Sequence, residues 1–146
     1  MRIDYIKNDK KRFLDLLLLA DEQDMIDRYL DKGDMFALYD NDLKGICVVT
    51  KEDDRIYELK NIATYEKYHG RGYGKKLIEY IFEYYKGKCD VMYVGTGDSP
   101  LTVPFYKKCG FIESHRVKNF FIDNYNHPIF ECGKQLIDMV YLKKEF

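Results

Sequence analysis

The segment Tyr68-His69-Gly70-Arg71-Gly72-Tyr73-Gly74-Lys75-Lys76-Leu77 lies between a run with strand character and a run with helical spacing. Three alternate glycines let the backbone turn tightly with no Cβ in the way, so that successive N–H groups converge on one anion. The helix that follows adds the partial positive charge of its N-terminus, and Arg71, Lys75 and Lys76 add full charges. A pyrophosphate suits such a loop, although a turn that merely starts a helix would show the same glycine spacing. Other phosphate loops fit less well. A GxGxxG fingerprint meets Lys75 or Leu77 at its third glycine, and a GxxxxGK[ST] loop meets His69 at its first glycine and Lys76 at its hydroxyl position.

Before this segment, 56–64 reads as a strand. After it, Leu77, Ile78, Ile81, Phe82 and Tyr85 form one apolar helical face. Further out, 2–6 alternates like a first strand. Phe13, Leu16, Leu17 and Ala20 predict a helix, and Met25, Ile26, Tyr29 and Leu30 a second one over 24–30, ended by Gly33. Strands are expected at 35–39 and 45–50 around the turn Asp40-Asn41-Asp42, with a charged turn at 51–54. Residues 91–96 have the composition of a strand buried on both faces. A short helix ends at Cys109, with Gly110 at its left-handed cap. Strands over 111–121 and 135–142, separated by a loop, close the chain. The order β-αα-βββ-α-β-α-ββ predicts a single domain over 1–146, of mixed α/β class, with a mostly antiparallel sheet flanked by helices.

A chain of 146 residues, 46% hydrophobic, is long enough for one sizeable core. Its net charge of −1 suggests neither a nucleic-acid footprint nor a polybasic membrane surface. Residues 1–58 hold ten Lys/Arg against fifteen Asp/Glu, and the remainder fourteen against ten. An anionic ligand on the later half and a cationic one on the earlier half would match that division, as would a solvated surface unevenly sampled. Cys47, Cys89, Cys109 and Cys132 are too far apart for a CxxC pair, so no metal site is expected. The apolar run Leu16 to Ala20 is too short for a bilayer or a signal core, and a cytoplasmic location is expected.

The glycine segment resembles the coenzyme A loop of the Gcn5-related N-acetyltransferases (GNAT), Gln/Arg-x-x-Gly-x-Gly/Ala, with His69, Gly72 and Gly74 at the patterned positions. His69 departs from Gln/Arg. Phe105-Tyr106-Lys107-Lys108-Cys109-Gly110-Phe111 is similar to a second block of that family, Phe/Leu-Tyr-x-Lys-x-Gly-Phe, while Ser99 and Thr102 stand where Asn and Ala are usual and Pro104 is expected to disturb the helix start. The element order agrees over 1–146; the specific likeness runs from about 56 to 111.

The resemblance implies acetyl transfer from acetyl-coenzyme A to an amine by direct attack in a ternary complex. It implies that His69, Gly70, Arg71, Gly72, Tyr73, Gly74 and Lys75 hold the pyrophosphate, and that backbone groups of Ile62, Ala63 and Thr64 meet the pantetheine arm and the thioester oxygen. It makes Tyr106 the acid that protonates the departing thiolate, and it puts the catalytic glutamate of some members at Glu58. The chemistry agrees: an amine of pKa about 10.4 is protonated at neutral pH and needs a base. Strand alternation predicts that Glu58, Lys60, Ile62 and Thr64 share a face. Cys109 as an acetyl-carrying nucleophile is the competing mechanism, but a small buried hydrophobe explains it better.

The family's acceptor-framing segments here carry Asp21, Glu22, Asp24, Asp27, Asp31 and Asp34, then Asp123 through Glu131, and would suit a cationic small-molecule or peptide amine. The same carboxylates would also suit a solvated helix face. The aromatic-rich C-terminal strands fit a core or a homodimer equally. A non-catalytic acyl-coenzyme A sensor of the same fold and a nucleotide-dependent transferase are the alternative functions.

Overall fold

The structure is a computed structural model that describes residues 1–146, and the chain divides into two compact units, Met1–Asp90 and Val91–Phe146. The first unit runs β1 (Arg2–Ile6), a 3-10 turn (Lys10–Phe13), α1 (Leu14–Ala20), α2 (Gln23–Tyr29), β2 (Asp34–Asp40), β3 (Asp42–Asp53), β4 (Ile56–Thr64), a second 3-10 turn (Glu66–Tyr68) and α3 (Tyr73–Tyr85). The strands pair antiparallel in sequence order. Strand alternation gives the sheet two apolar faces. On one, Met35, Ala37, Ile46, Val48 and Ala63 pack with Leu16, Leu17, Ile26, Tyr29 and Leu30 of the α1–α2 layer. On the other, Phe36 and Tyr57 meet Tyr85 of α3 at ring separations of 6.3 and 4.7 Å. Helix α3 buries Tyr73, Leu77, Ile78, Ile81 and Tyr85, as its periodicity predicts.

Strand β3 is longer than its apolar run. It continues through Lys51, Glu52 and Asp53 because β4 keeps pairing with it, Thr50 opposite Glu58 and Lys51 opposite Tyr57. The turn expected at 51–54 is therefore confined to Asp54 and Arg55, the latter with a left-handed φ of 58° and its guanidinium held by Asp90.

The second unit runs β5 (Val91–Gly97), α4 (Val103–Lys108), β6 (Ile112–Val117), α5 (Phe120–Asn124), β7 (Phe130–Glu131), β8 (Lys134–Gln135) and β9 (Met139–Glu145). β9 pairs antiparallel with both β5 and β6, so β6 is an edge and is exposed along its whole length. Mixed α/β structure with mostly antiparallel strands holds, but the end of the chain differs from expectation. The strand expected over 111–121 stops at Val117, because Asn119 takes a left-handed φ of 57° with its N–H on Asp138 and opens α5. The last strand starts at Met139 rather than 135, since 134–135 belongs to a hairpin turning through Cys132 and Gly133. β5 is not buried on both faces either: Met92, Val94 and Thr96 are buried, while Tyr93 and Gly95 lie half-open against the Tyr141 ring and its stacked neighbour His115.

Candidate functional site

The chain leaves β4 at Thr64, makes the second 3-10 turn and reaches α3 through His69-Gly70-Arg71-Gly72. Gly70 and Gly72 have φ of +80° and +83°, a region where an L side chain is strained, and a Cβ built at either would meet nothing within 4 Å. The glycines thus answer a backbone demand, and the space beside them is open to a ligand. Gly72 is the N-cap of α3 and offers no side chain; the first helical bond runs from the Lys76 N–H to the Gly72 carbonyl at 3.0 Å. The N–H groups of Tyr73, Gly74 and Lys75 therefore have no intrahelical acceptor, at the positive end of a 13-residue helix. Arg71, Lys75 and Lys76 are exposed around it. The arrangement fits the pyrophosphate anticipated from the glycine spacing.

Two of the named loop side chains do something else. Tyr73 is buried and its hydroxyl donates to Asp40 Oδ2 at 2.8 Å, so its backbone N–H, not its ring, is the group available to an anion. The His69 ring lies back on the end of β4, with Nε2 3.1 Å from the Thr64 carbonyl oxygen. A His at the Gln/Arg position closes the loop onto its own strand.

Of the three residues expected to offer backbone groups, Ile62, Ala63 and Thr64 pair with Cys47, Ile46 and Gly45 of β3. Ala63 is buried in the α1–α2 core.

Glu58 does not lie on the face where strand alternation would aim it. Val48 pairs with Asn61 but Val49 with Leu59, so Lys60 is the extra residue of a β-bulge. Paired residues share a face. Glu58, opposite Thr50, thus lies with Asn61 and Ala63 on the α1–α2 face, whereas Ile62 and Thr64 lie on the α3 face. The expectation that Glu58, Lys60, Ile62 and Thr64 share a face is corrected by that one residue. The Glu58 side chain is 14% exposed, with Oε2 3.1 Å from Lys60 Nζ, and Lys60 also reaches Glu52 at 3.9 Å.

Beside Glu58 on the same face stands a group that sequence reasoning missed. Asn61 is buried; its Nδ2 donates to the Leu17 carbonyl at 3.1 Å and to the Tyr29 hydroxyl at 3.0 Å, and that hydroxyl donates to Asp21 at 3.3 Å. The signal was an amide inside an apolar strand, where Asn is disfavoured. Several acidic residues expected to frame an acceptor are likewise engaged. Asp34 accepts from Tyr5 at 2.7 Å and Tyr85 at 2.6 Å, and Asp27 from Gln23 at 2.8 Å.

In the second unit, Tyr106 lies on α4 and is buried against the rings of Phe105 and Phe111. Burial pushes its hydroxyl well above the usual phenol range, with Cys109 and Glu131 adding to the effect. Pro104 fits where it was expected to disturb, since it stands in the first turn, whose N–H groups have no intrahelical partner. Ser99 is buried and accepts the Leu101 N–H at 3.1 Å, while Thr96 and Thr102 share a hydroxyl bond of 2.7 Å. Cys109 is half-buried at the end of α4.

Residues 31–113 match the family model described as the acetyltransferase (GNAT) domain. The uncharacterized N-acetyltransferase YvbK of Bacillus subtilis (strain 168) is 36% identical over 146 residues, covering 97% of this chain and 94% of that protein. A GNAT family acetyltransferase from Elizabethkingia anophelis, solved with acetyl-CoA bound, superposes with a TM-score of 0.93 at 36% identity, covering 99% of this chain and 97% of that one. A Bacillus subtilis acetyltransferase solved in complex with CoA gives 0.90 at 34% identity, with 99% and 98% covered.

Proposed function

Because this chain belongs to the GNAT acetyltransferases, we propose that it transfers an acetyl group from acetyl-coenzyme A to a primary amine, by direct attack while donor and acceptor are both bound. The observation that carries this reading is the loop at the head of α3, with two left-handed glycines, free N–H groups and open space beside them. When bound, acetyl-coenzyme A supplies the acetyl group as an activated thioester. The backbone N–H groups of residues 70–75 hold its pyrophosphate, with Arg71 and Lys75 adding charge, and the backbone of Ile62, Ala63 and Thr64 takes the pantetheine arm and carbonyl oxygen. A preorganised donor at that oxygen contributes about 3 kcal/mol to lowering the barrier.

Glu58 takes the proton of the attacking amine, with Lys60 holding its carboxylate in place. Tyr106 stays protonated across the working pH range and donates its hydroxyl hydrogen to the departing sulfur. A thiolate whose conjugate thiol has a pKa of about 8.5 is a weaker base than that phenolate, so the hydroxyl stabilises it chiefly by hydrogen bonding as charge develops on the sulfur. The acceptor is a cationic small-molecule or peptide amine, a choice that the carboxylates Asp21, Glu22 and Asp24 at the α1–α2 junction support. The chain works in the cytoplasm as one acetyltransferase domain over 1–146; none of its helices is long and apolar enough to cross a membrane.

The test is thiol release from acetyl-coenzyme A across polyamines, aminoglycosides, amino acids and lysine peptides, with calorimetric binding of coenzyme A in parallel. Turnover with one amine class is expected. Tight coenzyme binding with no turnover on any amine would replace the enzyme by an acyl-coenzyme A sensor.

A further inference from the structure

The glycine loop is flanked by two tyrosines, and both are held from outside the loop by the same hairpin. The Tyr73 hydroxyl, just after Gly72, donates to Asp40 at 2.8 Å; the Tyr68 hydroxyl, just before His69, donates to Asp42 at 3.3 Å. Asp40 and Asp42 bracket Asn41, the left-handed residue of the β2–β3 turn. Between them and the loop lies Lys44, whose side chain is only 9% exposed: its ammonium is paired with Asp42 and sits 3.7 Å from the centre of the Tyr68 ring. That ring also carries Lys67 and Arg71 at 5.1 and 5.4 Å and meets the Tyr73 ring edge-on at 6.3 Å. The backbone closes the same seam. The Lys44 carbonyl accepts the Tyr65 N–H at 3.2 Å, and a Cβ at Gly45 would lie 2.7 Å from the Ala63 carbonyl oxygen.

Two carboxylates beside an anion-binding loop are electrostatically the wrong sign. Neither is the N-cap of α3, a place held by Gly72. Asp40 binds the Tyr73 hydroxyl, and Asp42 binds the Tyr68 hydroxyl as well as the Lys44 ammonium. A segment with glycines at 70, 72 and 74 has much conformational freedom to lose, and whatever orders it before the ligand arrives raises affinity.

We propose that the β2–β3 turn is a latch for the coenzyme loop: Asp40 and Asp42, through Tyr73 and Tyr68, are positioning residues that hold residues 69–75 in the anion-binding conformation. This rests on the reading of that loop as the coenzyme site. The latch is separable from charge. Asp40→Asn and Asp40→Ala each remove one negative charge, but only Asn keeps an oxygen that accepts the Tyr73 hydroxyl.

The experiment is calorimetric titration of the full chain with coenzyme A, alongside amide hydrogen exchange of the ligand-free loop and a thermal melt. Asp40→Ala is expected to weaken binding about tenfold, or about 1.4 kcal/mol, and to speed exchange over residues 69–75. Asp40→Asn should bind at least as tightly as the parent, and Asp42→Ala should weaken binding in the same sense as Asp40→Ala. Equal affinities for the Asn and Ala variants, with unchanged exchange, would overturn the latch while leaving the coenzyme site standing. A parent protein that does not bind coenzyme A, or a Gly72→Val variant that binds as well as the parent, would remove the coenzyme reading and the latch with it. Tyr73→Phe is the second variant: it keeps the ring and loses the hydroxyl, and should match Asp40→Ala without a further loss when the two are combined.

Discussion

Six tyrosines of the first unit and Tyr106 of the second are used in opposite ways. Within Met1–Asp90, the hydroxyls of Tyr5 and Tyr85 both end on Asp34, and those of Tyr29, Tyr65, Tyr68 and Tyr73 end on Asp21, Asp15, Asp42 and Asp40. All but the Tyr29 bond, which spans eight residues, join positions 26 to 51 residues apart. Within Val91–Phe146, Tyr106 is as deeply buried as Tyr73, yet its neighbours are the rings of Phe105 and Phe111 and its hydroxyl belongs to none of these carboxylate ties. A tyrosine whose hydroxyl is spent on an aspartate is an architectural bond; Tyr106, which makes none of these ties, is the one to which the proposed function gives a reaction. The two cannot be told apart among fourteen tyrosines by residue type.

The comparison can be broken in several places. Gly72→Val puts a β-branched side chain at φ +83°, which strains the loop and fills the space beside it; calorimetry should show coenzyme A binding lost by more than 100-fold while the circular dichroism of the fold remains. Tyr106→Phe should lower kcat about 100-fold with the affinity for acetyl-coenzyme A unchanged. Equal losses in binding and rate would make Tyr106 one more structural tyrosine. Glu58→Gln should lower kcat at pH 7 by about tenfold to 100-fold, and the deficit should narrow as pH approaches the acceptor's own pKa of about 10.4, where the amine no longer needs a base.

Asn61→Ala removes the bonds to Leu17 and Tyr29 from a buried strand position. Denaturant unfolding should show a loss of about 2 kcal/mol, with Tyr29→Phe losing less.

The smallest effect is an alkaline one. Hydrogen bonding to Asp34 and then burial push Tyr5 up to about 12, and burial and then Asp15 push Tyr65 to about 12. The folded chain keeps these protons where the unfolded one, with phenols near 10, releases them. The stabilisation is therefore complete below about pH 10 and is lost as pH rises through 12. Melting temperatures of the parent should fall over that window, and Tyr5→Phe with Tyr65→Phe should flatten part of the fall.

Where the backbone conformation is set locally, it was legible. His69 through Lys75 are consecutive, their glycines declare the left-handed turns, and the apolar spacing of α3 declares the helix they open. Strand β4 was placed at its observed bounds for the same reason. The bulge at Lys60 was not legible, because it is a property of the pairing with β3 rather than of β4 itself, and it moved Glu58 to the other face while the alternation of burial along β4 looked undisturbed. Helix α5 and the β7–β8 hairpin span five and two-plus-two residues, too few for a periodic signal to rise above the loop that contains them.

The amino-acid sequence alone was enough for the family-like order of elements and for the glycine turn before α3, since each depends on residues within a few positions of one another; Glu58 and Tyr106 became candidates through the family resemblance of the segments that hold them. Only the tertiary structure decided which face Glu58 occupies, that Asn61, Tyr29 and Asp21 form a chain, and that Asp40 and Asp42 reach Tyr73 and Tyr68. Those partners are 26 to 33 residues apart for the latch and 32 for Asn61 and Tyr29. Their meeting follows from strand register and helix packing, which are set by the burial of the whole sheet and not by any local preference of the backbone.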